Sequence, residues 1–373
     1  MRRITTECIN KNYKGPLILD EFPYLVKTDK SLASTFQNWL DHDAKNAGLV
    51  VAIAGSSQRM MQGIVLSAGA PLYGRVKELM RIRSLPAGHI LEGLHLSNAY
   101  QAVEAFAVWG GIPYYWEIAE AQSADLSTAV DYNVLDPLGV LHDEPERLLI
   151  EETPPAITLK PILETIGAGI HRLNEIAGRL NQPATALSRP LSRLIELGLI
   201  EREVPFTALE KDTKRALYKF DDPFFRFWFK VVAPHRSALM QIPSSQRKHI
   251  WDRFKSGLFS ETWEELCRQA IPALVQVEGT LSALGPWGPA RRYWYGSGPE
   301  WDIVAESLDK KRLLLGEAKW LQQEITEETI KKITYTLLKK RARLLVEEMI
   351  LLLKLFFNSA PKTPAVRGGL KTR

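Results

Sequence analysis

Apolar residues near the start of the chain gather into two short runs, Leu17-Ile18-Leu19 and Leu49-Val50-Val51-Ala52-Ile53-Ala54, each followed by polar residues. Runs this short suit buried strands better than helices. The stretch between them, Ser31 to Ala44, reads as a helix. Strand–helix–strand spacing predicts parallel pairing through a crossover. Open sheets of this kind gather their chemistry at the carboxyl ends of the strands. Asp20 and Glu21 stand at one such end, and Ser56 and Ser57 at the other.

The pattern changes along the rest of the chain. From about Asp125 to Pro155 the breakers Asp136-Pro137 and Thr153-Pro154-Pro155 predict a connector. Three helices are expected next, over Lys160–Gly167, Leu173–Leu180 and Ala184–Leu197. Ile200–Val204 and Ala216–Phe220 then alternate like paired strands. Three helices and a hairpin describe a winged helix-turn-helix, whose third helix can enter a DNA major groove. Arg189 and Arg193, one turn apart on that helix, are its candidate DNA contacts. The aromatic run Asp222 to Phe229 reads as core rather than as a platform for bases.

A further α/β segment follows, with a helix over Phe259–Ala270 and strands over Trp301–Ala305 and Leu313–Lys319, joined by a turn at Leu308–Lys311. Beyond Glu324 the pattern is helical and basic, and Asn358–Arg373, rich in Pro, Gly and Lys/Arg, is expected to be a disordered tail. The expected domains are 1–124, 125–221 and 222–357, with 358–373 as the tail.

Two constellations can carry chemistry. In the first, Asp20 would reach a Mg²⁺ ion, Glu21 would act on a water, and Ser56 or Ser57 would sense a γ-phosphate; Arg75, after Pro71-Leu72-Tyr73-Gly74, would offer a cation. The phosphate-cradling G-x-x-x-x-G-K-[ST] occurs nowhere in the sequence. In the second, Glu317 and Lys319 lie two apart on a strand and so share a face, with Ala318 turned inward. Asp302 on the neighbouring strand completes a hard oxygen site for Mg²⁺, with Glu264 of the preceding helix as a further ligand. Lys319 would then orient a water for phosphodiester attack.

Composition narrows the class. The 45% hydrophobic and 24% charged residues are ordinary for a globular protein, and a net charge of +5 permits nucleic-acid contact without requiring it. Two distant cysteines, Cys8 and Cys267, fit a reducing cytoplasm and exclude a disulfide scaffold. No H-E-x-x-H occurs, and His89 and His95 read as loop and surface residues. The late apolar stretch Met349–Phe357 contains Lys354 and falls short of the roughly 20 residues a membrane span needs. A cytoplasmic protein without a membrane partner is expected.

The order of Leu17–Leu25, Ala54–Met61, Ala70–Arg75 and Gly110-Gly111-Ile112-Pro113-Tyr114-Tyr115 resembles the archaeal-type P-loop ATPases of the AAA+/STAND group. Asp222–Trp228 and Glu300–Val304 with Gly316–Trp320 resemble the PD-(D/E)xK domain that often follows them. The resemblance implies an α/β fold: a partial P-loop sheet, a winged-helix domain and a restriction-endonuclease-like domain. It implies an ATPase acting with DNA, with Asp20 at the Mg²⁺, Glu21 as catalytic acid, Ser56 or Ser57 as sensor and Arg75 near phosphate. It also implies Glu264, Asp302, Glu317 and Lys319 as a nuclease-type site, and it is compatible with a homo-oligomer. Because the family's phosphate loop precedes its Asp-Glu strand, the chain is expected to be a truncated copy in which ATP binding is weak or lost. A Mg²⁺-dependent nuclease, or a DNA-binding module without catalysis, are the alternatives.

Overall fold

The computed structural model describes residues 1–121, 125–152, 159–210, 214–276, 280–296, 298, 300–321, 326–328, 331–333, 335 and 354–358. The chain forms two compact units, Met1–Arg83 with Glu146–Ile157, and Ser84–Pro145 with Thr158–Arg373. These units do not follow the expected divisions at 124 and 221. Helices and small sheets alternate in a mixed architecture. The expected tail beyond Asn358, and most of the basic helical stretch after Glu324, lie outside the described residues.

In the first unit β1 (Leu17–Leu19) and β2 (Val51–Ile53) pair in parallel, Leu17 opposite Val51 and Leu19 opposite Ile53. The crossover between them contains the helix Ser31–Trp39, continued by a wide π-type turn over Leu40–Ala44. Leu17, Leu19, Val51 and Ile53 pack on a core of Phe22, Phe36, Trp39 and Leu72. Phe22 and Phe36 are fully buried with ring centroids 4.6 Å apart. Burying each such ring contributes about 1.5–3 kcal/mol, so this small core is what holds the strand pair in place.

In the second unit the three expected helices appear as Lys160–Gly167, Leu173–Arg179 and Ser188–Glu196, the last entered by a 3-10 turn at Ala184–Leu187. They lead into the antiparallel hairpin β3 (Ile200–Glu203) and β4 (Leu217–Phe220). Beyond the hairpin, Phe224, Phe225, Phe227, Trp228 and Phe229 are buried, as core rather than as a base platform. The expected connector from Asp125 is instead largely helical: Leu126–Val130 and a wide turn Asp131–Leu135 in this unit, then the helix Glu144–Glu152, most of which belongs to the first unit. The Asp-Pro break ends one helix without loosening the segment. Val130, Val134, Leu135 and Leu141 are buried, and Asp131 and Asp136 both accept from Arg247, at 2.8 and 2.6 Å.

A second sheet runs β5 (Arg291–Tyr293), β6 (Trp301–Glu306), β7 (Leu313–Trp320) and β8 (Lys354–Asn358) in that order. β5–β6 and β6–β7 are antiparallel, and β7–β8 is parallel. The 27-residue helix Ser244–Ala270 brings Cys267 into one core with Ile303, Ala305, Leu314 and Ala318. The segment leaving β3 is tied to this sheet. The Phe206 amide donates to the Arg292 carbonyl at 2.8 Å, and the Phe206 ring joins Tyr293, Trp301, Val304 and Leu315.

Candidate functional site

The parallel pairing of β1 and β2 places Asp20-Glu21 and Ser56-Ser57 at neighbouring carboxyl ends, as expected from the strand spacing. Glu21 adopts the left-handed region, φ 49°, which is unusual for a residue with a side chain. Such a conformation costs on the order of 1–3 kcal/mol and is held by its surroundings. Those surroundings are specific. The Glu21 amide donates to its neighbour's Asp20 Oδ1 at 2.9 Å, while Glu21 Oε2 accepts the Ser56 amide at 3.4 Å. The strand ends approach closely: a Cβ on Gly55 would lie 2.6 Å from Pro23 Cγ. Asp20 is exposed.

The two serines separate in role. Ser57 is buried and its Oγ accepts the Met60 amide at 3.4 Å, capping the turn Gln58–Met61. Ser56 is exposed and faces Glu21 and the Tyr24 phenol. Tyr24 is a member of this cluster that the sequence did not single out. Its hydroxyl donates to Glu151 of the returning segment, and that bond, with the nearby charges of Glu151 and Glu21, pushes its pKa upward. Only contacts 127 residues apart in sequence bring Glu151 here. Arg75 is drawn elsewhere: its Nε and one terminal nitrogen grip Asp41, each at 2.9 Å, and the hydrogen bond holds Asp41 below the usual carboxylate range. Arg75 could meet a phosphate only after releasing Asp41.

In the second unit three of the four expected residues converge. β6 and β7 pair Ile303 with Gly316, so Asp302 and Glu317 follow on adjacent strands. Lys319 Nζ lies 2.6 Å from Glu317 Oε1 and 3.8 Å from Asp302 Oδ2. Ala318 turns the other way into the core, as strand alternation requires. Burial works against the Lys319 ammonium, but the Glu317 hydrogen bond and the charges of Glu317 and Asp302 raise its pKa. Lys319 is therefore a cation at neutral pH, and its side chain is 41% exposed.

Glu264 lies on the helix Ser244–Ala270, near enough to Asp302 that burial and that charge push it up to about 7. Even so, among the described residues no three His, Cys, Asp or Glu side chains are grouped to hold a metal ion. The site offers two convergent carboxylates, Asp302 and Glu317, with the Asp302 charge felt at Glu264. Arg268, one turn beyond Glu264, donates to the Asp302 carbonyl at 3.2 Å and steadies the start of β6.

The two candidate DNA residues differ. Arg189 is exposed, whereas Arg193 pairs with Glu196 at 3.4 Å and buries part of its guanidinium. The pair does not present two open cations.

A protein of Methanocaldococcus jannaschii, described as uncharacterized protein MJECL04, is 30% identical over 326 residues, which are 87% of this chain and 71% of that one. This chain belongs to the same family. Residues 228–333 match DUF234, described as archaea bacterial proteins of unknown function. That match spans the helix Ser244–Ala270 and β5 to β7, and so contains Glu264, Asp302, Glu317 and Lys319. No solved structure matches the chain. No helix among the described residues is long and apolar enough to cross a membrane.

Proposed function

We propose that this is an ATPase-family protein of the AAA+/STAND type that acts with DNA, its first unit carrying the acidic side of the nucleotide site. The observation that carries this reading is the parallel β1–β2 pair with Glu21 linked to Ser56 across the strand ends. Asp20 is an exposed carboxylate suited to Mg²⁺, a hard cation that prefers carboxylate and water. Glu21 is held in a fixed orientation beside it, as a residue that positions an attacking water must be. The residues present do not fit ATP itself. Backbone amides and a lysine supply most of the grip on its phosphates, and G-x-x-x-x-G-K-[ST] is absent from this sequence. Calorimetric titration with Mg·ATP tests the reading. The chain should give no heat, and a form joined to a strand–loop–helix bearing that motif ahead of β1 should bind. Absence of binding in the joined form would reject it.

A second reading, Mg²⁺-dependent cleavage of DNA phosphodiesters, is favoured by the convergence of Asp302, Glu317 and Lys319. The two carboxylates would hold Mg²⁺, which when bound stabilises charge on a phosphate. Lys319, cationic and half exposed, would orient the attacking water and neutralise developing charge. Plasmid incubated with the protein and Mg²⁺ or Mn²⁺ should be cut, and Lys319→Ala should not cut it. Equal cutting by both proteins would remove the site from the chemistry.

A further inference from the structure

Edge strands carry backbone groups that no neighbouring strand takes up. β5 is first in the order β5-β6-β7-β8, and its Arg292 carbonyl accepts the Phe206 amide at 2.8 Å. The Phe206 ring packs on a cluster of Tyr293 from β5, Trp301 and Val304 from β6 and Leu315 from β7. Three residues earlier, Glu203 pairs with Lys219 at 2.9 Å and with Arg292 at 3.3 Å. Arg292 also reaches Glu300, at 3.4 Å. The Glu203, Lys219 and Arg292 side chains are only 13%, 11% and 18% exposed, so solvent screens their pairing little.

These contacts land where the ladder is irregular. Arg291 pairs with Val304, but Tyr293 pairs with Trp301. One β5 residue, Arg292, therefore stands opposite two of β6, Asp302 and Ile303. Such a bulge disrupts the local ladder, re-aims side chains and is frequent beside active sites. The residue at this bulge is Asp302, whose Oδ2 accepts the Ala318 amide at 3.0 Å and lies 3.8 Å from Lys319 Nζ. A three-residue edge strand with an interrupted ladder has little of its own to fix that geometry.

We propose that residues 203–206, leaving the hairpin strand β3, are a strap that locks this bulge. Glu203 and Phe206 are then positioning residues for Asp302, and through it for the Asp302–Glu317–Lys319 site. Glu203 holds the Arg292 side chain, while Phe206 holds the Arg292 carbonyl and the rings around it. Arg292 is thus fixed at both ends. The same contacts keep this segment from serving as an arm for nucleic acid. The strap stands on these contacts alone; that it serves phosphodiester cleavage rests on the nuclease reading.

The test is residue-by-residue amide exchange on the full chain, comparing Phe206→Ala, Phe206→Leu and Glu203→Gln with the wild type, beside plasmid cleavage in Mg²⁺ and DNA-binding titrations. Phe206→Ala and Glu203→Gln should speed exchange at Arg292, Tyr293, Asp302 and Ile303 at least about tenfold, with the helices Lys160–Gly167 and Ser188–Glu196 unchanged. Phe206→Leu, which keeps an apolar side chain, should stay near the wild type. Cleavage turnover in the first two variants should fall about 10- to 100-fold at an unchanged half-saturating DNA concentration. Unaltered exchange at β5 and β6 would overturn the strap, and so would strands and helices loosening together. Weakened DNA binding with a lower salt slope would make the segment a DNA arm and overturn it as well. Undiminished cutting by a Phe206→Ala protein with loosened strands would overturn the positioning role. The expected exchange pattern in a protein whose wild type cuts no DNA would uphold the strap and reject the nuclease reading.

Discussion

The Asp302 carboxylate accepts the Ala318 amide hydrogen across β6 and β7, at 3.0 Å. The regular ladder runs from Glu306–Leu313 to Ile303–Gly316, so the side chain takes over where backbone pairing stops. One Asp302 oxygen thereby fixes the geometry of the strand that carries Glu317 and Lys319. The same oxygen is the one 3.8 Å from the Lys319 ammonium.

Structure and charge can be separated at this residue. Asp302→Asn keeps an acceptor for Ala318 and should melt close to the wild type, whereas Asp302→Ala strands a half-buried amide and should lose about 1–3 kcal/mol in urea denaturation. Both should lose Mg²⁺-dependent cleavage by at least about 100-fold, along with Lys319→Ala. Cleavage retained in Asp302→Asn would show that its charge is not used.

Glu261 gives a stability prediction. Burial opposes its ionisation, but Arg226 and Lys230 overcome this and hold it at about 2. Its folded value lies below its unfolded one. Its stabilisation is therefore present above the unfolded value, near 4.5, and fades as pH falls toward 2. Glu261→Gln removes the farther of Arg226's two carboxylate partners, 3.9 Å against 2.5 Å for Glu265, together with the Lys230 pair, and should destabilise by about 1–3 kcal/mol at neutral pH. The acid limb of its stability curve should also be flatter than the wild type's.

Glu264 has the opposite sign. Its pKa is raised from 4.5 to about 7, so the folded state holds the proton longer than the unfolded state. Stability contributed by this group should fall as pH rises from about 4.5 to 7 and then level off. Glu264→Gln should remove that slope, leaving the protein more stable than the wild type at pH 8. Denaturant midpoints across this range measure it.

For DNA, Arg189→Ala should weaken salt-sensitive binding and reduce the salt slope by about one, while Arg193→Ala should act mainly through lost packing against Glu196. Binding titrations at several salt concentrations distinguish the two. Equal slopes for both variants and the wild type would exclude this helix from the interface.

Short-range pattern was readable where one face of an element decides it. The alternation that turns Ala318 inward and Glu317 and Lys319 outward follows from strand geometry, and so does the parallel pairing that a crossover helix imposes on β1 and β2. Long-range partners were not readable. Nothing local marks Tyr24 for Glu151 or Arg75 for Asp41, since each pair is joined only by folding. The Asp136-Pro137 break reads as a linker because breakers report local backbone, whereas burial of Val134 and Leu135 and the Arg247 pairs depends on a helix more than a hundred residues away.

In the proposed function Glu21 acts on water at a triphosphate. Single-turnover hydrolysis of Mg·ATP by the form joined to a phosphate-loop segment, beside its Glu21→Gln counterpart, tests it most directly. The variant should bind ATP as tightly and hydrolyse it about 100- to 10,000-fold more slowly, the range expected for removing a general base. Equal hydrolysis rates in the two proteins would contradict it.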